Sequence, residues 1–178
     1  SHFSIDYPKK LNGPELYNLV LDEEQQKFRD LIWSDDYDII FCDSKAGTGK
    51  TLVATVTANL MVECGRYDGI VYIVSPTQEE RIGYLPGNAE DKILPYINPI
   101  KDALIAINVN PDTAIAQASI QNQKEGTAYI DCVSHLYLRG NNFNRKVIII
   151  DESQNMYLDE MKKTLTRVNQ DCKTIVIG

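Results

Sequence analysis

Two short apolar runs, Asp38 to Asp43 (DIIFCD) and Gly69 to Ser75 (GIVYIVS), stand out from the polar sequence around them. Within each run the apolar positions are continuous rather than alternating, the pattern of a strand buried on both faces. Lys146 to Asp151 (KVIIID) and Lys173 to Ile177 (KTIVI) repeat that pattern. Between the runs the period changes. Asp22 to Trp33, Gly49 to Cys64 and Met156 to Val168 carry helical patterns, with Met161, Leu165 and Val168 recurring at spacings of four and three. Strand and helix alternating at this spacing predict an α/β fold, a mainly parallel sheet flanked by helices on both faces.

From Pro76 to Asn144 the pattern is less regular. Asn88 to Ile107 reads as helical, but Pro95 and Pro99 should break or kink it. Asp112 to Gln123 is a further expected helix, and Thr127 to Val133 an expected strand. No internal repeat or low-complexity tract divides the chain. One domain over residues 22–178 is therefore expected, preceded by an N-terminal extension, 1–21, whose Ser1-His2 start reads as a tag scar.

The 178 residues include 18 Lys and Arg against 25 Asp and Glu, a formal charge of −7. That balance argues against a surface coated in positive charge for nonspecific nucleic-acid binding, while leaving room for a local basic groove. No apolar run approaches the roughly 18 residues of a membrane span, and the first residues lack the basic and apolar regions of a signal peptide. Cys42, Cys64, Cys132 and Cys172 are far apart and form no CxxC pair. Reduced thiols in a cytoplasmic protein are the expectation, rather than a zinc site or disulfide framework.

The first chemical signal follows the first strand. Ser44, Lys45, Ala46, Gly47, Thr48, Gly49, Lys50 and Thr51 form a glycine-containing loop that opens directly into a helix. This is the context of a phosphate-binding P-loop, in which backbone N–H groups turn inward onto phosphate oxygens. Gly47 and Gly49 permit the curl and keep side chains out of the way. Lys50 supplies charge for the β- and γ-phosphates, and Thr51 a hydroxyl ligand for Mg²⁺. Ser44 stands where the GxxxxGK[ST] pattern has Gly.

The second signal is the strand Val147 to Ile150, which ends in Asp151 and Glu152, with Gln154 close behind. In a parallel sheet that end lies on the same edge as the P-loop. Asp151 is expected to hold Mg²⁺, through water, and Glu152 to activate the attacking water as general base. Gln154 is placed to sense the γ-phosphate. The bland alternative makes the two carboxylates helix N-caps. A Glu directly after the Asp favours attack by water over transfer to a small-molecule hydroxyl, which ranks a small-molecule kinase third.

Taken in order, AGTGKT (Ala46 to Thr51), GYLPG (Gly83 to Gly87), YLRG (Tyr137 to Gly140), DESQN (Asp151 to Asn155) and LTR (Leu165 to Arg167) resemble the PhoH-like family of P-loop ATPases. Its core is similar to the RecA-like motor lobe of superfamily-1 helicases. The resemblance covers approximately Asp22 to Gly178. It implies ATP binding and Mg²⁺-dependent hydrolysis, coupling to RNA or single-stranded nucleic acid, and assembly into a homo-oligomeric ring. In a ring, Arg139 or Arg167 would reach a neighbour's γ-phosphate or contact nucleic acid, with surface ion pairing the alternative for both. The resemblance further implies that the strand Lys173 to Ile177 lies between the P-loop strand and the acidic strand, and that Gln25 recognises adenine. The alternative for Gln25 is a solvated first helical turn. Ser75 before Pro76 and Ser153 depart from the family pattern. The family continues beyond Gly178, which ends the chain at the tip of the fourth strand, so a C-terminally incomplete domain is expected. The second functional reading is a nucleotide-gated binding or assembly module with little hydrolysis of its own.

Overall fold

The computed structural model describes residues 7–43, 49–74, 96–134, 142–151 and 171–178, together with Met161, Leu165 and Val168. A small antiparallel hairpin, β1 (Glu15–Leu16) and β2 (Leu19–Val20), comes first. It is followed by α1 (Glu23–Trp33), β3 (Ile39–Cys42), α2 (Lys50–Glu63) and β4 (Gly69–Val74). Then come α3 (Asn98–Ala106), α4 (Pro111–Ala114), a 3₁₀ turn (Ala116–Ala118), α5 (Ile120–Glu125), β5 (Ile130–Ser134), β6 (Lys146–Ile150) and β7 (Lys173–Ile177). The five strands β3 to β7 form one sheet in the order β3-β7-β6-β4-β5, every pair parallel. As expected, β7 lies between the P-loop strand and the acidic strand.

Alternate residues of each strand point to opposite faces, and both faces are covered. On one side Ile70, Tyr72, Val147, Ile149 and Ile175 join Phe28, Ile32, Val53, Met61 and Leu104 in a single core. On the other, Val71, Ile73, Ile148, Ile150 and Val176 form a second cluster against which Met161, Leu165, Val168 and Phe143 pack. Helix α2 is buried continuously from Val53 to Asn59 because α1, α3 and the sheet surround it. The segment before α1 joins the same core. Leu16 and Leu21 are buried, the Trp33 indole donates to the Pro8 carbonyl at 2.8 Å, and Arg29 donates to the carbonyls of Gly13 and Glu15.

Three sequence expectations change in detail. The β3 run is not buried on both faces: Ile39 is 46% exposed and Phe41 69%. Among the described residues β3 pairs only with β7, so it stands at the sheet edge, and apolar continuity does not distinguish an edge strand from a central one. The helix expected from Asp112 to Gln123 is broken into three pieces. Ile115 is extended and bridges Ile130, Ser119 caps α5, and the Asn122 amide donates to the Ile115 carbonyl at 2.8 Å, so side-chain bonds replace the helix ladder. Pro99 does not kink a longer helix but sits in the first turn of α3, where its missing N–H costs nothing. Pro95 and most of Met156 to Val168 lie outside the described residues; Met161 and Leu165 are helical.

Candidate functional site

All five strands run the same way, so the C-terminal ends of β3 and β6 open onto one edge of the sheet. Beyond β3, Gly49 is the N-cap of α2 with φ 75° and ψ 20°, a left-handed conformation that glycine adopts without steric cost. Lys50 and Thr51 are the first two helical residues. Beyond β6 stands Asp151, only 8% exposed. The Thr51 hydroxyl donates to Asp151 Oδ2 at 2.9 Å across 100 residues of sequence. Strand order alone achieves this, bringing the helix after β3 over the end of β6.

The same carboxylate oxygen accepts a second bond. Tyr72, in the middle of β4, is 2% exposed, and its hydroxyl donates to Asp151 Oδ2 at 2.7 Å. Sequence reasoning passed over Tyr72 as one more member of an apolar run. The signal was a phenol inside a buried strand, because a buried hydroxyl requires a partner.

Helix α1 frames the other side. Asp22 caps it reciprocally with Gln25: the Gln25 backbone N–H donates to Asp22 Oδ1 at 2.8 Å and the Asp22 N–H to Gln25 Oε1 at 3.0 Å. The Gln25 side chain lies against the P-loop exit, since a Cβ at Gly49 would stand 2.6 Å from Gln25 Nε2. One turn on, the Lys50 ammonium sits 5.1 Å from the centre of the Phe28 ring. Phe28 is a second neighbour that its sequence does not announce.

The electrostatics of the two helix starts differ. The first turn of α1 holds Glu23 and Glu24 beside Asp22, which offsets its positive dipole end. The first turn of α2 holds no acid, and Gly49 has no side chain with which to cap it. Lys50 adds to that positive end, so the junction favours an anion. Next to it, the Thr51 and Asp151 oxygens are hard donors without sulfur or imidazole, a set that suits Mg²⁺, which takes one or two carboxylates and keeps several waters. Gly49, Lys50, Thr51, Asp151 and Gln25 are thus brought together. Ser44, Lys45, Ala46, Gly47, Thr48, Glu152, Gln154, Arg139 and Arg167 lie outside the described residues.

The sequence profile of the family described as PhoH-like protein matches residues 20–178. Protein PhoH2 of Bacillus subtilis (strain 168) is 32% identical over 180 aligned positions, which cover 93% of this chain and 40% of that protein. The chain thus spans about two fifths of the length of this relative. In three dimensions it is similar to the UvsW helicase from Bacteriophage T4, with a TM-score of 0.63 at 12% identity, covering 98% of this chain and 57% of that one. It is also similar to the Sulfolobus solfataricus SWI2/SNF2 ATPase core in complex with dsDNA, with a TM-score of 0.61 at 17% identity, covering 95% and 34%. At such identities the structural likeness speaks for the fold alone: an α/β sheet of the RecA-like P-loop NTPase type. Sequence match and strand order agree, and the chain belongs to the PhoH-like protein family.

Proposed function

We propose that this domain binds and hydrolyses ATP with Mg²⁺. The observation that carries the reading is the 2.9 Å contact between Thr51 and Asp151 beside an acid-free helix start. Thr51 and Asp151 would hold Mg²⁺, which would supply positive charge to offset that of the phosphates. The Thr51 hydroxyl, by donating its hydrogen bond to Asp151, would keep its oxygen lone pairs for the cation, and Asp151 would hold the cation through water. Lys50, at the start of α2, would meet the β- and γ-phosphates, with Ser44 to Gly49 as the expected phosphate-binding segment before it. Glu152 takes a proton from the attacking water, and Gln154 senses the γ-phosphate. Gln25, whose Oε1 accepts from the Asp22 N–H, would read the adenine edge.

Coupling to RNA or single-stranded nucleic acid belongs to the same proposal. It is supported by the fold shared with a helicase and with an ATPase core bound to dsDNA. A formal charge of −7 means that such binding comes from a local groove or from an assembled homo-oligomeric ring, in which Arg139 or Arg167 completes a neighbour's site. A cytoplasmic setting fits the nucleotide. Among the described residues no helix is long and apolar enough to cross a membrane.

The test is phosphate release from ATP by wild type and Glu152→Gln, with and without single-stranded RNA, over a range of protein concentrations. Expected are a loss of about a hundredfold or more in the variant with ATP binding retained, and a wild-type rate per protomer that rises with concentration. Equal, slow release by both proteins that bind ATP would replace hydrolysis with the nucleotide-gated binding module.

A further inference from the structure

We infer that Tyr72 is a positioning residue for the metal-binding carboxylate, a role that rests on the Mg²⁺ site proposed above. Backbone pairing within β6 stops at Ile150, so Asp151 is the first residue whose orientation the sheet does not fix. Side-chain bonds take over there. The two described O–H donors reach the same oxygen from opposite kinds of support. Thr51 belongs to the first turn of α2, which follows the loop that must embrace phosphate. Tyr72 belongs to an interior strand of the sheet, paired to Ile149 of β6 on one side and Cys132 of β5 on the other.

The consequence is a division of labour. Tyr72 holds Oδ2 from a strand paired on both sides, and thereby holds the carboxylate plane against which the Thr51 hydroxyl is aligned. The bond is charge-assisted, short and buried, the class that is strongest in water-excluded surroundings. Without the phenol oxygen the carboxylate keeps its charge and its bond to Thr51 but loses a fixed anchor. A less firmly held carboxylate costs more to order when the cation arrives, and that cost weakens Mg²⁺ binding. Nucleotide contacts that do not involve the cation are untouched.

The measurement is equilibrium binding of a fluorescent ATP analogue titrated with Mg²⁺, a readout independent of turnover. Tyr72→Phe removes one atom and keeps the ring. It should raise the Mg²⁺ concentration for half-maximal enhancement about five- to twentyfold, while affinity in EDTA stays within twofold of wild type. Tyr129→Phe serves as the control, because that phenol is partly buried and hydrogen-bonded but donates to Asn59, away from Asp151. It should leave the Mg²⁺ midpoint in place. In an Asp151→Asn background Tyr72→Phe should have no further effect, which checks that the tyrosine acts through the carboxylate. A Tyr72→Phe midpoint within twofold of wild type, or an equal shift in Tyr129→Phe or in the Asp151→Asn background, would overturn the assignment while leaving the site reading intact. Wild-type binding indifferent to Mg²⁺ would overturn both.

Discussion

At the residue scale, the most demanding position in the site is Gly49. Its φ of 75° disfavours any residue with a Cβ, and a Cβ there would also meet Gln25 Nε2 at 2.6 Å. Gly126 provides a matched comparison: its φ is 65° and a Cβ would find open space. Alanine at either position should cost about 1 kcal/mol of stability through backbone strain, read by urea unfolding. Only Gly49→Ala should weaken ATP binding, by tenfold or more, because only there does the methyl group intrude on the P-loop exit. Equal ATP affinity in the two variants would separate Gly49 from the nucleotide. The residues of this corner were unequally legible in the sequence. Gly49, Lys50, Thr51 and Asp151 stood out because few residue types can serve at each of those positions. Tyr72 and Phe28 did not, because a phenol in an apolar run and a ring on an amphipathic helix look like ordinary core until three-dimensional neighbours are known.

At the element scale, the end of α1 is tied to the bottom of the sheet by Lys173, the first residue of β7. It is 1% exposed, and its ammonium donates to the carbonyls of Ile32 and Ser34. Burial is the main cause that lowers its pKa from the ordinary 10.5 to about 8, with the nearby Arg66 charge acting in the same direction. The sign of the stability effect follows. Below pH 8 the folded protein must keep a buried charge that the unfolded chain solvates, a penalty of roughly 3 kcal/mol. Between pH 8 and 10.5 the folded state has released the proton and the unfolded state has not, so stability rises with pH. Wild type should therefore gain on Lys173→Met by about 2 kcal/mol between pH 7.5 and 10 in urea titrations. A pH-independent difference would contradict the assignment. The sequence carried this element well, since KTIVI is a strand in place and length. It carried β3 less well, because four apolar residues in a row describe the strand but not its position at the sheet edge. It misread Asp112 to Gln123 because Ile115 is claimed by a bridge to Ile130, a partner fifteen residues away.

At the scale of the whole molecule, the segment ahead of α1 and the five-stranded sheet share one core. Tyr17, in the turn of the β1–β2 hairpin at φ 55°, accepts a bond from the Asn59 amide of α2, and Tyr129 donates to the same side chain. The hairpin is thereby fastened to the helix that begins at the P-loop. Burial of the Tyr129 ring and hydroxyl pushes its pKa up to about 12. Sheet, helices and hairpin together place Thr51 and Asp151 within one hydrogen bond of each other, and the proposed activity depends on that meeting. The most direct test is a double-mutant cycle on the Mg²⁺ enhancement of ATP affinity, using Thr51→Ala, Asp151→Asn and the pair. Each single substitution should reduce the enhancement by about tenfold or more, and the pair should lose no more than the larger single loss, because the two side chains act as one site. Losses that add independently, or wild-type affinity that does not respond to Mg²⁺, would contradict the account.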